Sequence, residues 1–102
     1  MPRPIDLTTE KLIEYDVIID NDPLLDNLLA NNPVIREVCY AGRWLCDKLK
    51  AINCPDYIIG TIMCCAGVAS FGCEDTWEVH RIMLDQFIDG SLQVGDNFEE
   101  KN

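Results

Sequence analysis

Positive charge is scarce in this 102-residue chain: 8 Lys and Arg stand against 18 Asp and Glu, for a formal net charge of -10. Direct binding to nucleic acid needs a phosphate-neutralising basic surface, so the composition argues against it. Histidine is scarcer still. His80 stands alone, so any Cys–His catalysis would have to use it. Glycine is thin, and no G-x-x-x-x-G-K-[ST], G-x-G-x-x-G or G-x-S-x-G pattern occurs. Six cysteines are present without a single C-x2-C pair, the spacing by which zinc sites usually announce themselves. Typical domains run to roughly 100–150 residues, so one domain is the ceiling.

The opening residues, Met1 to Asp6, lead into Lys11 and Glu14 instead of an apolar stretch. No secretory signal is read there, and a reducing cytoplasm is the expected compartment. Cys39, Cys46, Cys64 and Cys65 fall inside apolar helical stretches, where free thiols behave as small buried hydrophobes. Long hydrophobic runs are also missing. The longest uncharged run is Tyr57–Cys73, and it is diluted by Gly60, Thr61, Gly67, Ser70 and Gly72. A membrane span needs about 20 apolar residues, and the flanks here are Asp56 and Glu74 instead of Lys or Arg anchors. The run reads as the central helix of a soluble bundle, with no membrane partner.

What is present is 48% hydrophobic residues, too many for a disordered chain, and a regular punctuation by proline. Asn21-Asp22-Pro23, Asn31-Asn32-Pro33 and Asn53-Cys54-Pro55 each place proline where it suits a first helical turn. The expected helices are about 9–19, 23–30, 33–52 and 55–71, with a fifth opened by the capping pattern Asp75-Thr76-Trp77-Glu78 and closed at Gly90. The stretch 16–20 is rich in β-branched residues, so an extended segment is an alternative there. On the third helix the predicted inner stripe is Ile35, Val38, Cys39, Gly42, Leu45, Cys46 and Leu49. On the fifth it is Trp77, the stem of Arg81, Leu84, Phe87 and Ile88. The fold class is all-α: four to five short helices packed around the apolar helix 55–71. Residues 1–8 form an N-terminal arm, 9–90 a single helical domain, and 91–102 an acidic tail.

Charge is segregated. The third helix carries Arg36, Arg43, Lys48 and Lys50, and acidic segments lie on both sides of it. Either the bases pair with those acids within the chain, or the acidic faces steer a basic partner. Among sites, a calcium loop over Asp85, Asp89, Gly90 and Asp96 lacks a ligand at Phe87 and is better explained by helix termination. A thiol-based redox or metal-sensing role falls to Cys54, Cys73 and His80, the cysteines lying in loops near helix N-termini. The expected function is non-enzymatic: a small acidic protein acting on another protein, for which a basic one would match its charge, and pairing with a second copy to cover its apolar load. Tyr15, Tyr40 and Trp44, with Arg36 and Arg43, are the candidate contacts, and no cofactor is expected.

Overall fold

Thr8, Asp22 and Asp75 each accept a backbone N–H from the helix they precede: Lys11 at 3.2 Å, Leu24 at 3.0 Å and Glu78 at 3.0 Å. Satisfying an orphan amide in this way is what starts a helix at a given residue. The computed structural model describes residues 3–32, 34–71 and 75–92. They form α1 (Thr9–Asp20), α2 (Pro23–Asn31), α3 (Val34–Ala51), α4 (Asp56–Phe71) and α5 (Thr76–Asp89). The all-α expectation holds. The β-branched end of α1 stays helical through Asp20 because Ile19 is buried, and that tertiary burial outweighs the local preference.

Two helices end the same way. Gly90 takes φ 83°, with Ser91 N–H donating to Gln86 O at 2.9 Å and Gly90 N–H to Phe87 O at 3.3 Å. Asn53 takes φ 64°, with Cys54 N–H donating to Leu49 O at 3.0 Å and Asn53 N–H to Lys50 O at 3.0 Å. Both are left-handed caps that fold the next residue back onto the last turn, and asparagine is the usual substitute for glycine there.

The centre of the bundle is α3. It packs against all four other helices, whereas α4 packs only against α3 and α5. Tyr40, Ala41, Trp44, Leu45, Cys46 and Leu49 are buried along it, with Leu45 and Leu49 fully inaccessible. The buried surface is thus wider than the predicted stripe, whose Ile35, Val38, Cys39 and Gly42 are only half-buried. The apolar helix 55–71 is therefore not the centre. Among the α4 residues whose burial is described, Ile59, Ile62, Ala66 and Ser70 are buried, and Tyr57, Gly60, Cys64, Cys65 and Val68 face outward. Its uncharged character comes largely from small residues, which have little area to bury and so do not compel a central position. A Cβ at Gly60 or Gly67 would meet nothing within 4 Å, so no other described helix packs closely on that side.

On α5 the inner face is Trp77 and His80, with Val79, Met83, Leu84 and Phe87 packed beside them, and Ile88 is 62% exposed. Trp44 and Trp77 meet edge to face, ring centroids 6.1 Å apart at 73°, and lock α3 to α5. The segment before α1 is held against α3. Arg3 pairs with Glu37 at 2.8 Å, Asp6 pairs with Lys48, and Leu7 packs on the core. Of the acidic tail 91–102, only Ser91 and Leu92 are described, and Leu92 touches the core cluster.

Candidate functional site

Helix α1 carries more aliphatic residues than one stripe can bury. Leu12, Tyr15, Asp16 and Ile19 turn toward the bundle at helical spacing, Tyr15 and Ile19 fully so. Ile13, Val17 and Ile18 are left 58%, 56% and 46% exposed. Between this outward side of α1 and α3 lies a cleft of about 430 Å³, lined by Lys11, Ile13, Glu14, Tyr15, Val17, Ile18, Arg43 and Asp47. A second hollow of about 160 Å³ shares Lys11, Tyr15 and Asp47 with it and runs on toward Asp6, Leu7, Trp44 and Lys48. The two make a groove along the α1–α3 junction, and the larger part falls within the range of ligand clefts, roughly 300–1,000 Å³.

Two of the three residues the parts share are hydrogen-bonded to each other. The Tyr15 hydroxyl donates to Asp47 Oδ2 at 2.7 Å. Burial first, and then this bond to a carboxylate, push the phenol well above its ordinary range, so Tyr15 stays neutral. Glu14 is paired with Lys11 at 3.3 Å. Arg43 is different: its Nε is shut off from water and has no hydrogen-bond partner among the described residues.

Two other bases of α3 are engaged within the chain, while Lys50 is exposed with no ion pair among the described residues. Arg36 Nη1 donates to Asp16 and Nη2 to Asp20, each at 2.7 Å. These bonds hold the guanidinium further toward its charged form. Tyr40 also donates its hydroxyl to Asp16, and Lys48 pairs with Asp6 while lying over the Trp44 ring at 6.0 Å. Of the two readings of the charge pattern, internal pairing accounts for Arg36 and Lys48. Arg43 is left over in the groove.

The five candidate contacts thus divide. Tyr40 and Trp44 are core residues, 8% and 6% exposed, with their polar tips satisfied by Asp16 and Asp6. Arg36 is spent on two aspartates. Tyr15 and Arg43 line the groove, Tyr15 from a buried position. Ile13, Val17 and Ile18 were legible only as apolar members of the first helix. The available signal was their surplus: six apolar residues in 12–19 exceed what one face of a helix can cover.

The thiol reading changes in kind. Cys54 is buried, because it is the residue that the left-handed cap at Asn53 folds back onto α3. Burial, helped by Asp56, raises its thiol above the ordinary range, which removes the reactivity expected of a loop cysteine. Cys64 and Cys65, expected inside, are exposed, while Cys46 is buried and Cys39 half-buried with its thiol raised by burial. Cys73 lies outside the described residues.

His80, the histidine of the thiol or metal-sensing reading, is buried at 1% exposure. Its Nδ1–H donates to Thr76 O at 2.7 Å, leaving a buried Nε2 without a partner among the described residues. Burial depresses its basicity, so it is neutral at pH 7. Among the described residues no group of three His, Cys, Asp or Glu is placed to hold a metal ion, and no helix is long and apolar enough to cross a membrane. Comparisons with protein-family models, with curated proteins and with solved structures found no match for this chain.

Proposed function

We propose that this protein works by docking on another protein through the α1–α3 groove, as a small acidic regulator, adaptor or inhibitor without catalysis of its own. One observation carries the reading: exposed Ile13, Val17 and Ile18 share a cleft of about 430 Å³ with Arg43, whose Nε has no partner among the described residues. Aliphatic residues clustered around one arginine are a common composition for the centre of an interface. The free state of all five described cysteines is consistent with a reducing cytoplasm. Homodimerisation belongs to the same proposal. Its natural surface is the uncharged outer side of α4, where Tyr57 is 63% and Val68 is 68% exposed.

The test is site-specific crosslinking in the native host, with a photoreactive residue at position 13 or 17 and a control at position 88. Docking through the groove predicts one discrete adduct from positions 13 and 17, the adduct from position 13 being lost in Val17→Asp, in a variant that keeps its helical circular dichroism. Identical adduct patterns from all three positions would refute it.

A further inference from the structure

We infer that the groove receives a polypeptide segment of a partner that sets a carboxylate beside a large aliphatic side chain. This rests on the groove being the docking surface, and it names what the surface selects. The cations around the α1–α3 junction are accounted for one by one. Arg3 serves Glu37, Lys11 serves Glu14, Arg36 serves Asp16 and Asp20, and Lys48 serves Asp6. Of the two carboxylates of the cleft, Glu14 is paired with Lys11, and Asp47 accepts the Tyr15 hydroxyl, a neutral donor that leaves its charge in place. Arg43 therefore brings the unmet hydrogen-bonding demand of the site: a planar guanidinium that lines the cleft, cannot lose its proton and has no ion pair among the described residues. A carboxylate is the acceptor that matches this fork, and two parallel N–H···O bonds fix its orientation.

The aliphatic half of the assignment comes from Ile13, Val17 and Ile18, which form the apolar rim beside Arg43. A lone anion would leave them in water, and an apolar segment without an acceptor would bury the arginine unpaired, a costly outcome. Only a segment with both features satisfies the groove. The chain's overall charge of -10 repels an acidic partner at long range. The pairing is therefore expected to act at contact and to show in the dissociation rate more than in the association rate.

Three alanine-based helical peptides test this, each with the same Leu-x-x-x-Leu pair and with Glu, Gln or Lys placed beside it. Binding is followed by amide shifts of the full-length protein. The expected result is that the Glu peptide moves Ile13, Val17, Ile18 and Arg43, binds about tenfold tighter than the Gln peptide, and outcompetes the Lys peptide. Arg43→Gln should erase the Glu-over-Gln preference, while Arg43→Lys restores part of it. Equal binding of the Glu and Gln peptides, preference for Lys, or shifts outside the groove would overturn the inference. So would decanoate filling the groove when no peptide does, which would reassign it to a free amphipathic acid. A dimer in sedimentation that Val17→Asp abolishes would reassign it to a second copy. A host adduct at positions 13 and 17 that survives Arg43→Gln would leave the docking surface standing while the carboxylate assignment fails.

Discussion

Glu37 accepts a hydrogen bond from the Trp77 indole, Nε1 to Oε2 at 2.5 Å, across 40 positions of sequence. The same carboxylate holds both Nε and Nη2 of Arg3 at 2.8 Å. One half-buried side chain on α3 thereby fastens α5 and the N-terminal segment together.

Replacing it separates these roles. Glu37→Leu should destabilise by about 2–3 kcal/mol, because the buried indole N–H loses its acceptor. Glu37→Gln keeps an acceptor and should cost about 1 kcal/mol. Arg3 first, and then Trp77, hold the Glu37 carboxyl below its ordinary 4.5. Its contribution is therefore complete above that value and is lost as pH falls through the lower folded-state value. Urea unfolding of wild type and Glu37→Gln between pH 6 and pH 3 checks this: the two should converge at the acid end.

His80 titrates in the opposite sense for a base. Burial lowers its folded-state value below the unfolded 6.5, so near that pH the unfolded chain binds more protons. Stability is full above about pH 7 and should decline as pH falls through the unfolded value toward the folded one. No other histidine is present to contribute. His80→Gln should abolish the slope between pH 7 and pH 5.5 while lowering stability at pH 7. An unchanged slope in denaturant midpoints would assign it elsewhere.

Thiol accessibility follows the corrected burial. In a Cys73→Ser background, Cys64 and Cys65 should react with a thiol reagent within the dead time of mixing. Cys39 should react more slowly, and Cys46 and Cys54 only on unfolding. Mass spectrometry of the alkylated protein, peptide by peptide, reads the order.

Small substitutions test which helix is central. Leu45→Ala should cost about 2–5 kcal/mol, as for any fully enclosed leucine. Val68→Ala, on the open side of α4, should change stability by less than about 0.5 kcal/mol. Gly60→Ala and Gly67→Ala meet open space inside a helix and should each stabilise by about 0.5–1 kcal/mol. Gly90→Ala should destabilise, because φ +83° strains any residue with a Cβ. Thermal melts of the five variants give the ranking.

The groove was only partly legible. Tyr15 and Arg43 could be singled out as an aromatic and a base on helices that neighbour one another. That Arg43 would be left unpaired while Arg36 found two aspartates depends on which acids α1 turns toward α3, and helix rotation is set by packing. Ile13 and Val17 carried a real signal, their surplus over one apolar stripe, but a surplus does not say which members stay outside.

Helix starts and stops were written in the chain because their causes are local. Asp22 before Pro23, Asp75 three residues before Glu78, and Gly90 after α5 act through bonds that span two to five residues. Composition likewise determined an all-α protein with one extended uncharged helix. Which faces are buried was decided only by the tertiary structure, since burial depends on the number of neighbours a helix acquires. α3 has four and is covered on several sides; α4 has two and keeps its uncharged outer side in water despite the higher hydropathy. The scarcity of positive charge takes its final meaning from the same packing. With most of the bases spent on internal aspartates and glutamates, Arg43 in the groove is the base of the α1–α3 junction without an ion pair among the described residues.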